Sequence, residues 1–335
     1  MQKVLFIKKY FESKYLKKFC KINNVEKNLD ELLENDKITE EKIIEFIKNE
    51  FKYKTEEEIS CIESELNKMQ NFDWGGSMGN NLEKNIVNNF VKKIMKYEEI
   101  EKAIAGTIQR SVYGYTVNSW YNHWSTILIE EIFNSNNRIL PTVDLVEKID
   151  FFIDNIPFDL KVTYFPEELM KKSIAEELYE KYGSKDELTC SKRLAKELNI
   201  TIPTDLNNRA LTICLNNLLK ESVDERAKKF VQDVSKMKKK VIEYYKQNPN
   251  ELIIWLYENQ GEMRFDAANR FYLVLVDSEN IYDSWKLKRN VNLLKREIDS
   301  KLMKFNKKDL NNVEFNWFKD GKNYKCISEL LFIIK

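Results

Sequence analysis

The chain has 335 residues, of which 43% are apolar and 33% charged, and its 55 basic side chains almost balance its 54 acidic ones. A chain of this length can bury a large core. Its near-zero net charge excludes a positive electrostatic field over the whole protein, so any surface that binds nucleic acid must be a local one. The five cysteines are scattered, and His123 is the only histidine, which argues against a disulfide framework, a zinc site and Ser-His-Asp chemistry.

The first 80 residues read as a helical region. Residues 1–21 carry seven lysines against one glutamate, typical of an amphipathic helix with a lysine face or of a segment that contacts phosphates or a partner. Thr55 and Glu58 form a capping box before an apolar run, which predicts a helix start. The glycine-rich stretch at 73–81 predicts a soft boundary between domains 1–80 and 81–335.

No signal-peptide segment follows Met1, and the longest apolar runs are far shorter than a membrane span. We therefore expect a cytoplasmic protein without membrane partners.

The segment from 97 to 134 predicts helices, and a carboxylate lies in the apolar stripe of its second half. At 100° per residue, Glu131 shares a face with Trp124, Ile127 and Leu128, whereas Glu130 points about 100° away. A carboxylate in a buried stripe is costly unless it is paired or bound to metal, so Glu131 is a candidate site residue. The alternative is that Glu131 reaches water at the edge of the stripe.

Residues 149–163, IDFFIDNIPFDLKVT, predict a β-hairpin. Asp154 and Asn155 suit a two-residue turn because both tolerate positive φ. This turn pairs Phe151 with Phe158 and brings Asp150 opposite Asp159. The next position on the same face of the second strand is Lys161, and the other face of the hairpin is apolar.

Two facing aspartates repel one another unless a partner compensates their charge. A divalent cation is a suitable partner, because Mg²⁺ prefers a few carboxylates and leaves coordination positions to water and phosphate. The ammonium of Lys161 would offset charge that builds up on a phosphate. The alternative is a surface hairpin with a solvated polar face.

Asp150 followed by the triplet Asp159-Leu160-Lys161 on the next strand resembles the PD-(D/E)XK nuclease superfamily, although Ile149 stands where the family has its proline. The resemblance covers about residues 115–165. It implies that Asp150 and Asp159 bind Mg²⁺ with the Leu160 carbonyl as a further ligand, and that Lys161 positions a water for in-line attack on phosphorus. It also implies an acid from the preceding helix, for which we select Glu131, with Glu130 as the fallback.

Two helical segments carry local basic charge. Residues 224–246 hold eight basic side chains against four acidic ones, and residues 285–305 predict a basic amphipathic helix with its lysines and arginines exposed. Such faces either contact DNA phosphates or are merely solvated. The candidate DNA-contacting residues are Lys236, Lys238, Lys239, Lys240, Lys288 and Arg289.

The remaining apolar runs predict strands. Residues 251–258 and 270–277 resemble buried central strands, and residues 313–318 and 324–334 predict two more. We expect an α/β protein with a central mixed sheet flanked by helices and a helical N-terminal extension. The resemblance implies that this sheet contains the family's αβββαβ core.

The resemblance also implies the function. We expect a Mg²⁺-dependent DNA endonuclease, with Mn²⁺ as a substitute, that leaves 5′-phosphate and 3′-hydroxyl ends. A type II restriction endonuclease fits the length of the chain, and cutting both strands of a duplex would require a homodimer. Two alternatives stay open: a defence or repair nuclease acting on structured DNA or RNA, and a non-catalytic nucleic-acid-binding module.

Overall fold

The computed structural model describes residues 14–24, 38–70, 82–142, 149–204, 206–259, 269–316 and 321–335. The predicted boundary at 73–81 lies outside them. The described residues of the N-terminal region form three helices, α1 (Lys14–Asn23), α2 (Glu40–Glu50) and α3 (Glu56–Asn67). The predicted capping box begins α3, since Thr55 accepts from Glu58 N–H and Glu58 accepts from Thr55 N–H.

A long helical stretch follows. It begins with α4 (Leu82–Ile86) and a π-helical turn, and continues through α5 (Tyr97–Ala103), a second π-helical turn and α6 (Gln109–Asn134). The carboxyl-terminal half of α6 is buried, with Leu128, Ile129 and Phe133 fully inaccessible. This buried half contacts the sheet through Ile129, Ile132 and Phe133.

The described residues form a mixed sheet of six strands in the order β1-β2-β3-β4-β6-β5. Strands β1 to β3 are antiparallel neighbours, β3, β4 and β6 run parallel, and β5 pairs with β6 antiparallel. The strands are β1 (Ile139–Pro141), β2 (Phe151–Ile153), β3 (Ile156–Tyr164), β4 (Asn269–Val276), β5 (Asn311–Asn316) and β6 (Asn323–Ile334). The predicted α/β class with a central mixed sheet is thereby confirmed.

In the part of the chain that the structure describes, five α-helices lie between β3 and β4 and one follows β4. They are α7 (Glu167–Tyr182), α8 (Glu187–Glu197), α9 (Asn208–Glu221), α10 (Glu225–Gln247), α11 (Pro249–Asn259) and α12 (Val291–Lys304). A 3₁₀-helix, Ile281–Arg289, precedes α12. In the described part of the chain, no helix is both long and apolar enough to cross a membrane.

Helices cover both faces of the sheet because strand side chains alternate. Tyr272 and Val274 of β4 pack with α7, α10 and α11, whereas Phe271 and Leu273 pack with α6 and α12. β4 is therefore buried on both faces, as its continuous apolar sequence predicts.

Two sequence predictions are wrong. Residues 251–258 belong to helix α11, because Pro249 occupies its first turn and the buried residues Leu252, Ile253, Leu256 and Tyr257 follow helical spacing. The helix predicted at 285–305 is divided at Asn290, whose side chain caps α12 by accepting from Leu293 N–H.

An aromatic cluster fixes the β2–β3 hairpin against α6. The Phe151 ring stacks on Phe133 at a centroid distance of 4.9 Å and contacts Phe271 at 6.2 Å. We expect Phe151→Ala to lower the free energy of unfolding by about 3–5 kcal/mol, because the change leaves a cavity between helix and sheet. Urea denaturation measures this loss.

The matched control is Val223→Ala, at a side chain that is 92% exposed, for which a change below about 0.5 kcal/mol is expected. An equally small effect of Phe151→Ala would contradict the packing described for the hairpin.

Candidate active site

The β2–β3 hairpin has the predicted turn and register. Asp154 and Asn155 have φ values of 46° and 65°, as a tight two-residue turn requires. Phe151 pairs with Phe158, and Asp150 N–H donates to the Phe158 carbonyl at 2.9 Å. The turn residues therefore determine, without any distant contact, which polar residues of the hairpin face each other.

The polar face of the hairpin brings three side chains together, those of Asp150, Asp159 and Lys161. Asp150 Oδ2 accepts the Leu160 N–H at 2.6 Å, which holds the carboxylate across the hairpin from Asp159. Lys161 Nζ donates to Asp159 Oδ1 at 2.6 Å. Asp159 is 9% exposed, whereas the Lys161 side chain is 46% exposed, so the lysine reaches solvent and the acid does not.

Negative charge is crowded at this site. Burial raises the pKa of Asp150, and the neighbouring Asp159 raises it further, while the Leu160 N–H and Lys161 act in the opposite direction. Two hard oxygen donors whose charge is only partly compensated form a donor set that a divalent cation would stabilise.

The two helix glutamates point in different directions. Burial, together with the charges of Asp150 and Glu131, raises the pKa of Glu130 to about 7. Glu131 is 8% exposed, and its Oε2 accepts the Lys54 N–H at 3.2 Å. Glu131 thus lies in the apolar face as predicted but contacts the N-terminal region, whereas Glu130 is the one coupled to Asp150.

The raised pKa of Glu130 makes stability depend on pH. The folded chain holds this proton more tightly than the unfolded chain, so the stability it contributes is present below about pH 4.5 and is lost as pH rises to about 7. We expect Glu130→Gln to flatten the dependence of unfolding free energy on pH in this window. Chemical denaturation of both proteins across the window, in EDTA, measures the difference.

Glu180→Gln serves as the matched control, because it makes the same change at an exposed glutamate of α7, away from Glu130. Identical pH profiles for wild type and Glu130→Gln would contradict the burial of a titrating Glu130.

Sequence reasoning missed Arg270, which lies beside Asp159 on the parallel strand β4. Its Nε is 3.8 Å from Asp159 Oδ2, Nη1 donates to the Tyr272 hydroxyl at 3.2 Å, and its guanidinium carbon lies 4.5 Å from the Tyr257 ring centroid. The side chain is only 7% exposed. An arginine at the start of an otherwise apolar strand was the available signal, because a buried cation requires a partner.

The proposed DNA-contacting residues are divided among different environments. Lys238 Nζ pairs with Glu187 at 2.8 Å and Lys240 with Glu177 at 3.1 Å, whereas Lys236 and Lys239 are exposed.

The expected exposure of Lys288 and Arg289 is wrong. Lys288 is buried, donates to Asn122 Oδ1 at 2.9 Å, and has a pKa lowered by burial to about 8. Arg289 is half-buried and donates to the Leu66 and Met69 carbonyls. The 3₁₀ geometry, with three residues per turn, turns both side chains inward.

Within the described ranges, no group of three or more histidine, cysteine, aspartate and glutamate side chains is already arranged to hold a metal ion. Comparisons with protein-family models, curated proteins and solved structures give no match to this chain. Function is therefore inferred from the geometry around Asp150 and Asp159.

Proposed function

We propose that this protein is a Mg²⁺-dependent endonuclease that hydrolyses phosphodiester bonds of duplex DNA, as type II restriction endonucleases do. The observation that carries the proposal is the convergence of Asp150, Asp159 and Lys161 on the two strands of one hairpin. This set joins two hard oxygen donors to a solvent-accessible cation, which suits phosphoryl transfer.

The order of elements supports membership of the PD-(D/E)XK superfamily. Helix α6 precedes three antiparallel strands, helices follow, and β4 then joins parallel to β3. This order corresponds to the αβββαβ core that the resemblance implies. Because fold alone does not define an activity, the side chains on the hairpin remain the stronger support.

The donor chemistry fits a Mg²⁺ ion. Asp150 and Asp159 would hold it, with Glu130 as a further donor, because the charge of Asp150 makes Glu130 harder to ionise in the absence of a cation. The Leu160 carbonyl stays a proposed ligand. When bound, the ion would compensate these charges and stabilise the negative charge that develops on the phosphate.

The protein's own side chains would orient the reaction. The Lys161 ammonium, held by Asp159, would position a water for in-line attack on phosphorus. Arg270 would hold Asp159 from the opposite side and maintain its orientation. Glu131 would act in stability rather than chemistry, since its carboxylate ties the N-terminal region to α6.

A homodimer would supply the second active site needed to cut both strands. The helical stretch before the buried half of α6 exposes several large apolar side chains, including Met95 at 93%, Tyr97 at 73% and Tyr113 at 70%. We propose that the dimer interface lies in this region, because a concentration of exposed apolar side chains is typical of an interaction surface. Light scattering should give twice the chain mass of 40.1 kDa, and Tyr97→Lys with Tyr113→Lys should reduce it. A monomeric mass for the wild type would contradict the dimer.

Incubation of the purified protein with unmethylated phage DNA tests the proposal. Discrete fragments with Mg²⁺, and intact DNA with EDTA, are the expected results. Parallel reactions with single-stranded DNA, branched DNA and RNA separate restriction from the alternative nuclease roles. Failure to cleave any of these substrates with Mg²⁺ or Mn²⁺ would contradict the nuclease proposal and favour a binding module.

A further inference from the structure

A basic cleft lies at the end of the sheet opposite the proposed active site. Its volume is about 600 Å³, and α9, α10 and the segment that follows β4 line it. Arg270, beside Asp159, is the second residue of β4, whereas the lining residue Asp277 comes seven residues later, directly after the strand. At about 3.3 Å per residue, the two sites are about 23 Å apart along the strand.

Lysines on two helices give the cleft its charge. Lys220 of α9 and Lys236 and Lys239 of α10 line it and are exposed. In the parts of the chain that the structure describes, none of these three ammonium groups lies within ion-pair distance of a carboxylate, unlike Lys238, which pairs with Glu187. Lys220 precedes Lys236 by 16 residues and belongs to another helix, so sequence order alone did not group it with Lys236 and Lys239 around one cavity.

The acidic residues of the lining do not cancel this charge. Asp277 is buried and accepts the N–H groups of Glu279 and Asn280 at 3.0 Å, and it also lies 3.7 Å from Lys335 Nζ. Glu279 is the exposed acid of the lining, so three lysines face one accessible carboxylate. Because the net charge of the chain is only +1, this excess is a local feature.

The lining also offers neutral donors and an aromatic surface. Asn216, Asn217 and Gln232 contribute amides, and the Tyr282 ring lies 5.1 Å from Lys238 Nζ on the inner side. A concave site of this volume at the carboxyl end of a parallel strand is a common location for ligands.

We propose that this cleft binds phosphate groups of a nucleotide-sized ligand, either a free nucleoside polyphosphate or a short stretch of nucleic-acid backbone. The proposal goes beyond DNA cleavage and does not depend on it, because the cleft and the hairpin acids share no residue. Lys220, Lys236 and Lys239 would contact the phosphates, and the amides would orient the remainder of the ligand.

Binding measurements in EDTA test this site without cleavage. Inorganic tripolyphosphate and ATP are titrated by calorimetry, and a fluorescein-labelled duplex is titrated by anisotropy at several salt concentrations. The test protein carries Lys220→Gln, Lys236→Gln and Lys239→Gln. The matched control carries Lys172→Gln, Lys196→Gln and Lys304→Gln, three exposed lysines outside the cleft. Equal thermal midpoints of both variants establish that they are folded.

The cleft variant should bind about tenfold or more weakly than the control. Loss of tripolyphosphate and ATP binding identifies a free ligand. Loss confined to the duplex, with a salt slope lower by about 0.9 for each phosphate contact removed, identifies nucleic-acid backbone. Equal binding by cleft variant and control, or no binding of any probe to the wild type, would overturn the proposal.

Discussion

Asp159→Asn should reduce Mg²⁺-dependent DNA cleavage by a factor on the order of 10³, which corresponds to about 4 kcal/mol of transition-state stabilisation. The substitution keeps the shape of the side chain and removes the charge that pairs with Lys161 and faces Arg270. Initial rates on a defined duplex, at saturating Mg²⁺, measure the loss.

The same substitution should also affect stability. Arg270 is buried, and among the described residues Asp159 is the carboxylate within ion-pair distance of it, so neutralising the acid leaves a buried cation less well compensated. Comparing thermal midpoints of wild type and variant therefore accompanies the rate measurement. Asp309→Asn, at an exposed aspartate far from the hairpin in sequence, is the control for both readouts. Cleavage by folded Asp159→Asn at the wild-type rate would contradict the role of the hairpin acids.

Glu130→Gln and Glu131→Gln should separate chemistry from stability at adjacent positions. We expect Glu130→Gln to lower cleavage by about 10–100-fold and to increase the Mg²⁺ concentration required, because Glu130 is coupled to Asp150. Glu131→Gln should retain cleavage, because the glutamine Oε1 can still accept the Lys54 N–H, whereas Glu131→Leu, which cannot accept it, should lose about 1 kcal/mol of unfolding free energy.

Rates across a Mg²⁺ titration, together with urea denaturation of each variant, distinguish the two residues. If Glu131→Gln were stable but lost most of its cleavage activity, while Glu130→Gln stayed fully active, the assignment of Glu130 as the metal donor would be wrong. The sequence-based choice of Glu131 would then be favoured.

The hairpin could be predicted from sequence because its determinants are local. Asp154 and Asn155 define the turn, and a two-residue turn fixes which residues face each other. The strands at 270–277 and 324–334 could also be predicted from sequence, since each is rich in apolar and β-branched or aromatic residues.

Other features depend on tertiary contacts that no local pattern contains. The run at 251–258 is apolar throughout, and periodicity cannot separate a buried strand from a buried helix in so short a segment. Arg270 reaches Asp159 only because β4 joins parallel to β3 after more than 100 residues.

The choice between Glu130 and Glu131 also required the structure. The helical stripe predicted that Glu131 faces the interior, which is correct. Its side chain, however, contacts the N-terminal region at Lys54 and not the hairpin. A helix that packs against two neighbours has two inward directions, and sequence periodicity reports only their average.

The most direct test of the central claim is an anomalous-diffraction map of crystals soaked in Mn²⁺. The account predicts a peak at the Asp150 and Asp159 carboxylates, with Glu130 adjacent, and no such peak in crystals of Asp159→Asn. A Mn²⁺ ion bound elsewhere, with these carboxylates contacting only protein and water, would contradict it.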